Sequence, residues 1–327
     1  MVIADNITLR EKPLFLAPME DVTDPSFRFI CKQFGADMVY TEFIPSDGLI
    51  RDADKSLKKL EILENERPIG IQLYGHLIDS MVEAAKIAEE AQPDLIDINF
   101  GCPVRKIANR GAGAGMLCNI PLMIEMTKAI VDAVKLPVTV KTRLGWDENS
   151  KNIPDIAERL QDVGIKALTI HGRTRAQLYK GNADWSLIGE VKRNPRIKIP
   201  IIGNGDIINP QSAAEAFERF GIDGIMIGRA TVGRPWIFKE IRHYLDTGEI
   251  LAPLPLKDKV ELARLQFHKS LEYKGIPRGI YEMRRHFINY FKGLSDFREI
   301  RMRLVTTMDV DEIERILDLI LINYPDC

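Results

Sequence analysis

The sequence has few cysteines and no long hydrophobic runs. Its four cysteines, Cys31, Cys102, Cys118 and Cys327, are far apart and show no CxxC spacing. This pattern argues against a disulfide framework or a cysteine zinc site, and it predicts a protein of the reducing cytoplasm without a bound metal. No apolar run approaches the roughly 20 residues that cross a bilayer, so we expect no membrane span. Residues 1–12 lack the apolar core of a secretion signal.

The sequence also has no excess of charge of one sign. It contains 45 basic and 47 acidic residues, which gives a net charge of −2. Binding to a nucleic acid would therefore depend on a local basic surface rather than on the overall charge. Such a surface is indicated between residues 264 and 303, where ten basic residues stand against four acidic ones. Because mixed-charge helices are often only solvated, this pattern supports RNA binding without establishing it.

Short β-rich apolar runs alternate with amphipathic helical patterns through the first part of the chain. This alternation over about 230 residues predicts a (β/α)8 barrel. A doubly wound sheet is the alternative, but its Gly-rich dinucleotide turn is missing after the first strand. The predicted strands are Leu14–Ala17, Met38–Thr41, Ile69–Leu73, Leu95–Asn99, Val138–Thr142, Ala167–Ile170, Ile199–Ile202 and Gly224–Ile227, and the helices between them include Asp79–Ala91, Pro121–Val134, Pro154–Val163 and Pro210–Phe220.

The pattern changes after Arg242, where a Pro-containing connector at 251–256 leads into helical sequence only. We predict two domains, a barrel over 1–242 and a small helical bundle over 243–327. The predicted helices of the bundle are Asp258–Tyr273, Ile280–Phe291 and Asp311–Leu321.

The residues that could react with or bind a ligand lie at the ends of the predicted strands. In a barrel of this kind function collects at the carboxyl ends of the strands. There Cys102 follows a buried strand in a Gly-Cys-Pro turn, and 203–206 and 228–229 offer exposed backbone N–H groups and a guanidinium for a phosphate. Lys141 adds a cation, and the Gln72 amide suits the edge of a heteroaromatic ring. Together these residues predict a site for a phosphorylated, planar cofactor.

Seven of these strand-end motifs, in register, resemble tRNA-dihydrouridine synthases, most closely the bacterial DusB branch. The resemblance runs from about Leu14 to Trp236, and the helical tail fits the tRNA-holding domain of that family. The motifs are Ala17-Pro-Met-Glu-Asp-Val-Thr-Asp24, Thr41-Glu42, Gln72-Leu-Tyr-Gly75, Asn99-Phe-Gly-Cys-Pro103, Val140-Lys-Thr-Arg143, His171-Gly-Arg-Thr174 and Asn204-Gly-Asp206.

The resemblance implies a mechanism. In that family the barrel binds FMN, NADPH or NADH reduces the flavin, and hydride passes from N5 to C6 of a uracil flipped out of the tRNA. Cys102 is then implied as the proton donor to C5, which agrees with a thiol that is mostly protonated at neutral pH. The implied cofactor-binding residues are Ala17, Pro18, Met19, Gln72, Lys141, His171, Asn204, Gly205, Asp206, Gly228 and Arg229.

The same resemblance implies a D-loop uridine of tRNA as substrate, with Asn99 and Arg143 at the uracil. The loop after the sixth strand is basic and contains aromatic residues, as suits phosphate contact with base stacking. We expect a monomer. The implied tRNA contacts are Arg173, Arg175 and Lys180 in that loop, near Tyr179 and Trp185, and Arg284 and Arg285 in the tail.

Three other functions are compatible with parts of the sequence. An FMN barrel enzyme could act on a free pyrimidine, but this would leave the basic tail without a purpose. An RNA-binding barrel that has lost catalysis would not need Cys102 and Lys141, which are both present. A phosphate-binding isomerase without flavin would be excluded by flavin absorbance of the purified protein.

Overall fold

The computed structural model describes residues 1–4 and 7–325. A parallel sheet forms its core, and a small antiparallel pair precedes it at the amino terminus. The strands in chain order are β1 (Val2–Ala4), β2 (Ile7–Thr8), β3 (Leu14–Leu16), β4 (Val39–Tyr40), β5 (Ile44–Pro45), β6 (Ile69–Tyr74), β7 (Leu95–Phe100), β8 (Val138–Arg143), β9 (Leu168–His171), β10 (Ile201–Asn204) and β11 (Gly224–Ile227).

Eight of these strands form a nearly closed parallel barrel. Their spatial order is β3-β11-β10-β9-β8-β7-β6-β4, and β5 pairs with the far end of β6. A single parallel bridge between Phe15 and Met38 joins β3 to the β4 segment and closes the ring. Every predicted strand is present, with a shift of at most two residues. The order confirms the predicted (β/α)8 barrel and excludes a doubly wound sheet.

Helices follow the strands and surround the barrel. Short 3-10 turns lie at residues 64–66, 113–118, 148–150 and 229–231. The α-helices are α1 (Pro25–Gln33), α2 (Ser46–Leu49), α3 (Asp54–Lys58), α4 (Ile78–Glu90), α5 (Arg105–Ala108), α6 (Ile120–Ala133), α7 (Ile153–Asp162), α8 (Ser186–Arg193), α9 (Pro210–Phe220), α10 (Ile237–Thr247), α11 (Leu256–Lys274), α12 (Arg278–Tyr290), α13 (Arg298–Thr306) and α14 (Val310–Asn323).

Helix α9 illustrates how the sequence determines these helices. The Asn209 side chain caps its first turn, and Pro210 occupies a first-turn position that needs no backbone donor. Ala213 and Phe217, one turn apart, are buried against the barrel. Gly221 ends the helix with φ of 65°, a left-handed conformation that glycine adopts without steric cost.

The last four helices, α11 to α14, form a separate hydrophobic cluster beside the barrel. Val260, Phe267 and Phe287 are fully buried in this cluster, and Ile30 of α1 packs into it from the barrel side. No helix in the described parts of the chain has the length and apolar character needed to cross a membrane. The three predicted tail helices are confirmed with slightly different ends, and α13 was not predicted.

Ion pairs join the tail to the loop that follows β3. The Lys274 ammonium, at the end of α11, contacts the carboxylates of Asp24 and Glu282, and its side chain is 4% exposed. The guanidinium of Arg278 lies 2.6 Å from Glu282 and 3.4 Å from Asp21. The strand-end loop that carries Met19 is therefore fixed to the tail by buried and half-buried charges.

Candidate active site

Cys102 lies just past β7 at the carboxyl end of the barrel, and only 7% of the residue is exposed. The backbone N–H groups of Gly101 and Cys102 both donate to Asn99 Oδ1, at 2.9 Å each. Gly113, with φ of +55°, packs so closely that a Cβ there would lie 3.1 Å from the Cys102 Cβ. Burial raises the pKa of the thiol, partly offset by the nearby Arg143. The thiol is therefore protonated at neutral pH and is held in a fixed position.

A chain of buried hydrogen bonds leads from the barrel interior to this turn. Asp97 Oδ1 accepts from Thr139 Oγ1 at 2.5 Å, and its Oδ2 accepts from Gln72 Nε2 at 2.6 Å. Gln72 Oε1 accepts from Asn99 Nδ2 at 2.8 Å. Burial raises the pKa of Asp97 to about 6, while its hydrogen bonds and Lys141 oppose that rise. Both predicted amides, Gln72 and Asn99, are therefore in contact at the ends of adjacent strands.

Four cations surround the mouth of the barrel at His171. Burial lowers the pKa of this imidazole well below its ordinary value, and Arg143, Lys141, Arg173 and Arg229 lower it further. His171 is therefore neutral. Burial, and next Arg143, lower the pKa of Lys141 to about 8, and its ammonium lies 3.3 Å from Asn204 Oδ1. A half-buried ammonium with a lowered pKa, among other cations, favours the binding of an anion.

Asp206 organises the loop after β10. One oxygen of its carboxylate accepts from Arg173 and from the backbone N–H of Ala183, both at 2.7 Å. The other oxygen accepts from Arg229 at 3.0 Å. Gly205 beside it has φ of +123°, and a Cβ there would lie 2.7 Å from Ala183 and 3.0 Å from His171. The predicted phosphate loops after β10 and β11 are thus brought together through one carboxylate.

The loop after β3 meets the loop after β11, because β3 and β11 are neighbouring strands of the barrel. The Ala17 N–H donates to the carbonyl of Ile227 at 2.8 Å, which extends the sheet by one residue. A Cβ at Gly228 would lie 3.5 Å from the Ala17 Cβ and 3.6 Å from Met19 Sδ. At these distances an added Cβ would make ordinary van der Waals contacts with both residues. Pro18 lies between Ala17 and Met19 and is half-buried.

Comparison with known proteins gives the family of this site. The model described as dihydrouridine synthase (Dus) matches residues 15–322. The chain belongs to the dihydrouridine synthase family. A probable tRNA-dihydrouridine synthase of Rickettsia conorii is 40% identical over 302 residues, 92% of this chain and 90% of that protein. The tRNA-dihydrouridine synthase B of Pseudomonas putida is 42% identical over 297 residues, 90% and 87% of the two chains. The chain is an oxidoreductase of this family, and the resemblance found in the sequence is confirmed.

Solved structures with the same fold include flavoenzyme barrels. Morphinone reductase gives a TM-score of 0.52 at 14% identity, over 74% of this chain and 88% of that one. The old yellow enzyme from Trypanosoma cruzi gives 0.53 at 13% identity, over 76% and 92%. At this level of identity the likeness shows the barrel fold alone.

Two arginines predicted to contact the tRNA substrate, Arg143 at the end of β8 and Arg173 in the loop after β9, have similar surroundings. Arg143 and Arg173 are fully buried, and Arg143 donates to the carbonyls of Gly101, Thr174 and Leu178 at 2.7, 3.0 and 2.9 Å. Arg143 therefore ties the cysteine turn of this Dus-family barrel to the neighbouring loop.

The remaining predicted groups of that loop lie nearer to solvent. Arg175 stacks on Trp146 at 4.4 Å, and Lys180 is exposed. Tyr179 is 54% exposed, and its ring lies 5.2 Å from the guanidinium of Arg229. The Trp185 indole, in contrast, donates to the carbonyl of Gly205 at 3.0 Å, so it supports the phosphate loop from the side.

The two predicted tail arginines, Arg284 and Arg285, also have different surroundings. Arg284 donates to the carbonyls of Thr306 and Thr307 at 3.1 and 3.3 Å, which joins α12 to the end of α13. Arg285 is exposed and forms no ion pair with any residue that the structure describes. Of the two, Arg285 is the one available to a partner.

Three carboxylates near the mouth, Glu20, Asp21 and Glu42, have oxygens within 4.8 Å of one another. Lys59 lies 2.6 Å from Glu20 and 3.8 Å from Glu42, and Arg278 contacts Asp21. Ion pairing with these two cations accounts for the cluster.

Sequence reasoning missed Asp97 and Thr139 as members of the site. Both residues are polar and at most 3% exposed, and Asp97 is the charged residue of its strand, Leu95–Phe100. A buried carboxylate needs hydrogen-bond partners, so an aspartate within the run Leu95–Phe100 was a usable signal. The partners themselves, on β6 and β8, depend on strand register, which the sequence does not reveal.

Proposed function

We propose that this protein reduces specific uridines of tRNA to 5,6-dihydrouridine, using bound FMN and NADPH. Family membership and the names of its relatives support the reaction and the RNA substrate. The cationic mouth, where Lys141 and three arginines surround His171, fits a ligand that carries a phosphate. When bound, FMN would supply the hydride that reaches C6 of the uracil and would recover it from NADPH. We further propose a cytoplasmic monomer.

The observation that carries the proposal is the position and protonation of Cys102. Reduction of the C5=C6 double bond needs one hydride and one proton, and a buried thiol with a raised pKa retains its proton until the substrate arrives. When the thiol gives its proton to C5, Arg143 and Lys141 stabilise the resulting thiolate, because both favour the charged form. Solvent then returns a proton to Cys102.

The other residues bind and orient. Lys141, His171 and the 204–206 and 228–229 loops would hold the cofactor and its phosphate, with Ala17, Pro18 and Met19 along its ring. Gln72 and Asn99 would each direct an N–H toward carbonyl oxygens of the cofactor and the uracil. The target base must leave its stack to reach Cys102, which costs a few kcal/mol.

We propose two domains, one that carries out catalysis and one that binds tRNA. Residues 1–242 would form the catalytic barrel, and 243–327 the tRNA-binding helices. Lys180, Arg175 and Arg285 lie at least partly in solvent and would contact RNA phosphates. Arg143 and Arg173 would support RNA binding indirectly by fixing the loop after β9, and Arg284 would do so by fixing the end of α13.

The test is nucleoside analysis of tRNA incubated with the purified protein and NADPH. Dihydrouridine should form with the wild type and with Cys118→Ala, which removes an exposed thiol, and should be lost with Cys102→Ala. Equal product from Cys102→Ala would refute the assigned acid. A yellow protein that oxidises NADPH without modifying tRNA would indicate a free pyrimidine substrate. A colourless protein that binds tRNA would indicate a binding function only.

A further inference from the structure

We propose that Asp97 is a positioning residue that fixes the orientation of the Gln72 and Asn99 amides, and through them the backbone of the Cys102 turn. The assignment rests on the donors and acceptors along one continuous buried chain. Its link to catalysis rests on the proposed role of Cys102. The geometric claim itself can be tested without any turnover.

Asp97 forms the interior end of this chain of hydrogen bonds. Asp97 is 1% exposed, and an ionised carboxylate only accepts hydrogen bonds. Thr139 occupies one of its oxygens, and the Gln72 side chain faces the other. The amide nitrogen of Gln72 must therefore point to Asp97, which leaves its oxygen for Asn99. If Gln72 flipped, two oxygens would face each other at 2.6 Å.

The backbone of the Cys102 turn, at the other end of the chain of hydrogen bonds, independently requires the same orientation of the two amides. The N–H groups of Gly101 and Cys102 can only donate, and both point to one atom of Asn99. That atom must be the oxygen, so the nitrogen of Asn99 faces Gln72. Both ends of the chain thus require the same orientation of both amides, and neither amide can flip without breaking contacts at both of its ends.

The fixed orientation has a chemical consequence at the site. Each amide nitrogen carries two hydrogens, and the chain uses one of them. Asn99 Oδ1 already accepts from two backbone N–H groups, so Asn99, which is 5% exposed, offers a ligand its remaining N–H and no acceptor. Asn99 can therefore recognise a hydrogen-bond acceptor of the ligand, such as a carbonyl oxygen.

The test measures how tightly the cysteine turn is held, by alkylation with iodoacetamide in the presence of excess FMN and site-resolved mass spectrometry. Exposed Cys118 is the internal reference, and fully buried Cys31 should stay unlabelled while the protein is folded. In Asp97→Asn the new amide can pair with either end of Gln72. We expect the labelling of Cys102 relative to Cys118 to rise about threefold or more, because the turn loses its fixed acceptor.

A double variant separates positioning from a general structural effect. When Asp97→Asn is combined with Gln72→Glu, the amide introduced on β7 donates to the carboxylate introduced on β6, and the second oxygen of that carboxylate accepts from Asn99. The order of donors and acceptors at the turn is restored with the same net charge, so Cys102 labelling should return to within about twofold of the wild type.

Two results would overturn the proposal. One is an unchanged labelling ratio in Asp97→Asn, and the other is a double variant that labels as fast as the single one. If Asp97→Asn does not fold, Gln72→Met cuts the same chain at its middle and must raise the ratio as well. Because the labelling needs neither tRNA nor NADPH, it remains informative even if dihydrouridine formation is not observed.

Discussion

Replacing the buried carboxylate of Asp97 should remove a stability penalty that grows between pH 5 and pH 7, while it damages the site. The pKa of Asp97 is raised from its ordinary value of 3.8 to about 6, mainly by burial. Since the pKa in the folded state lies above that in the unfolded state, ionisation of Asp97 destabilises the fold. This penalty is absent at low pH, grows as the pH rises from 3.8 toward 6, and is complete above 6.

The magnitude follows from the two pKa values. The linkage relation gives a penalty of about 3 kcal/mol at pH 7 and about 1.6 kcal/mol at pH 5. Asparagine carries no such penalty, but it loses hydrogen-bond strength to Thr139 and Gln72 by an amount that does not depend on pH. The difference in stability between Asp97→Asn and wild type should therefore be about 1.3 kcal/mol more favourable to the variant at pH 7 than at pH 5.

Denaturant unfolding of both proteins at pH 5 and pH 7 measures this difference directly, and Lys141 stays protonated over most of that range because its pKa is about 8. Asp223→Asn serves as the control, since Asp223 is a hydrogen-bonded carboxylate at the opposite end of the barrel. A stability difference that is the same at both pH values would show that Asp97 is not a buried ionised group, and the physical reasoning would fail.

Three further substitutions test the remaining parts of the site and the tail. Gly205→Ala should cost about 2 kcal/mol of stability and lower the cofactor content, whereas Gly248→Ala, also at positive φ but in open space, should cost about 1 kcal/mol and keep the cofactor. Lys274→Met should destabilise by about 3 kcal/mol, and the exposed-pair control Lys128→Met by less than about 0.5 kcal/mol in denaturant unfolding. Arg285→Glu should weaken tRNA binding in a filter assay. The slope of the logarithm of the binding constant against the logarithm of the salt concentration should become smaller by about one, and an unchanged slope would contradict a phosphate contact.

The barrel was predictable because its strands are buried apolar runs at regular intervals. The predicted end of β10 was wrong by two residues, because Gly203 was interpreted as a turn. The strand continues through Gly203, and the glycine is needed there for packing. The Trp185 ring occupies the space where a side chain would lie, with a ring atom 2.1 Å from the position of a Cβ. Helix α13 was missed because only Ile300 and Leu304 of its residues are buried, too few for a visible periodicity.

Within the site, the residue types at the strand ends were predictable and their partners were not. A sequence can show that Gln72 and Asn99 end two strands, but their contact depends on the register of β6 against β7. The burial of Arg143 and Arg173 was equally hidden, because the loop after β9 folds over both guanidiniums. The specific roles assigned to the site residues remain predictions until the variants are measured.

The ion pairs between the tail and the loop after β3 limit how the two parts of the chain can evolve. Asp21 and Asp24 stand beside the mouth, and their charges are compensated by Arg278 and Lys274 from the tail. A barrel expressed alone would keep these two acids beside the mouth without their cations, and they would repel the phosphates of the proposed RNA substrate. Lys274 and Arg278 of the tail thus act as counterions for acids of the barrel. A tail taken from another protein would need a cation at each of these two positions.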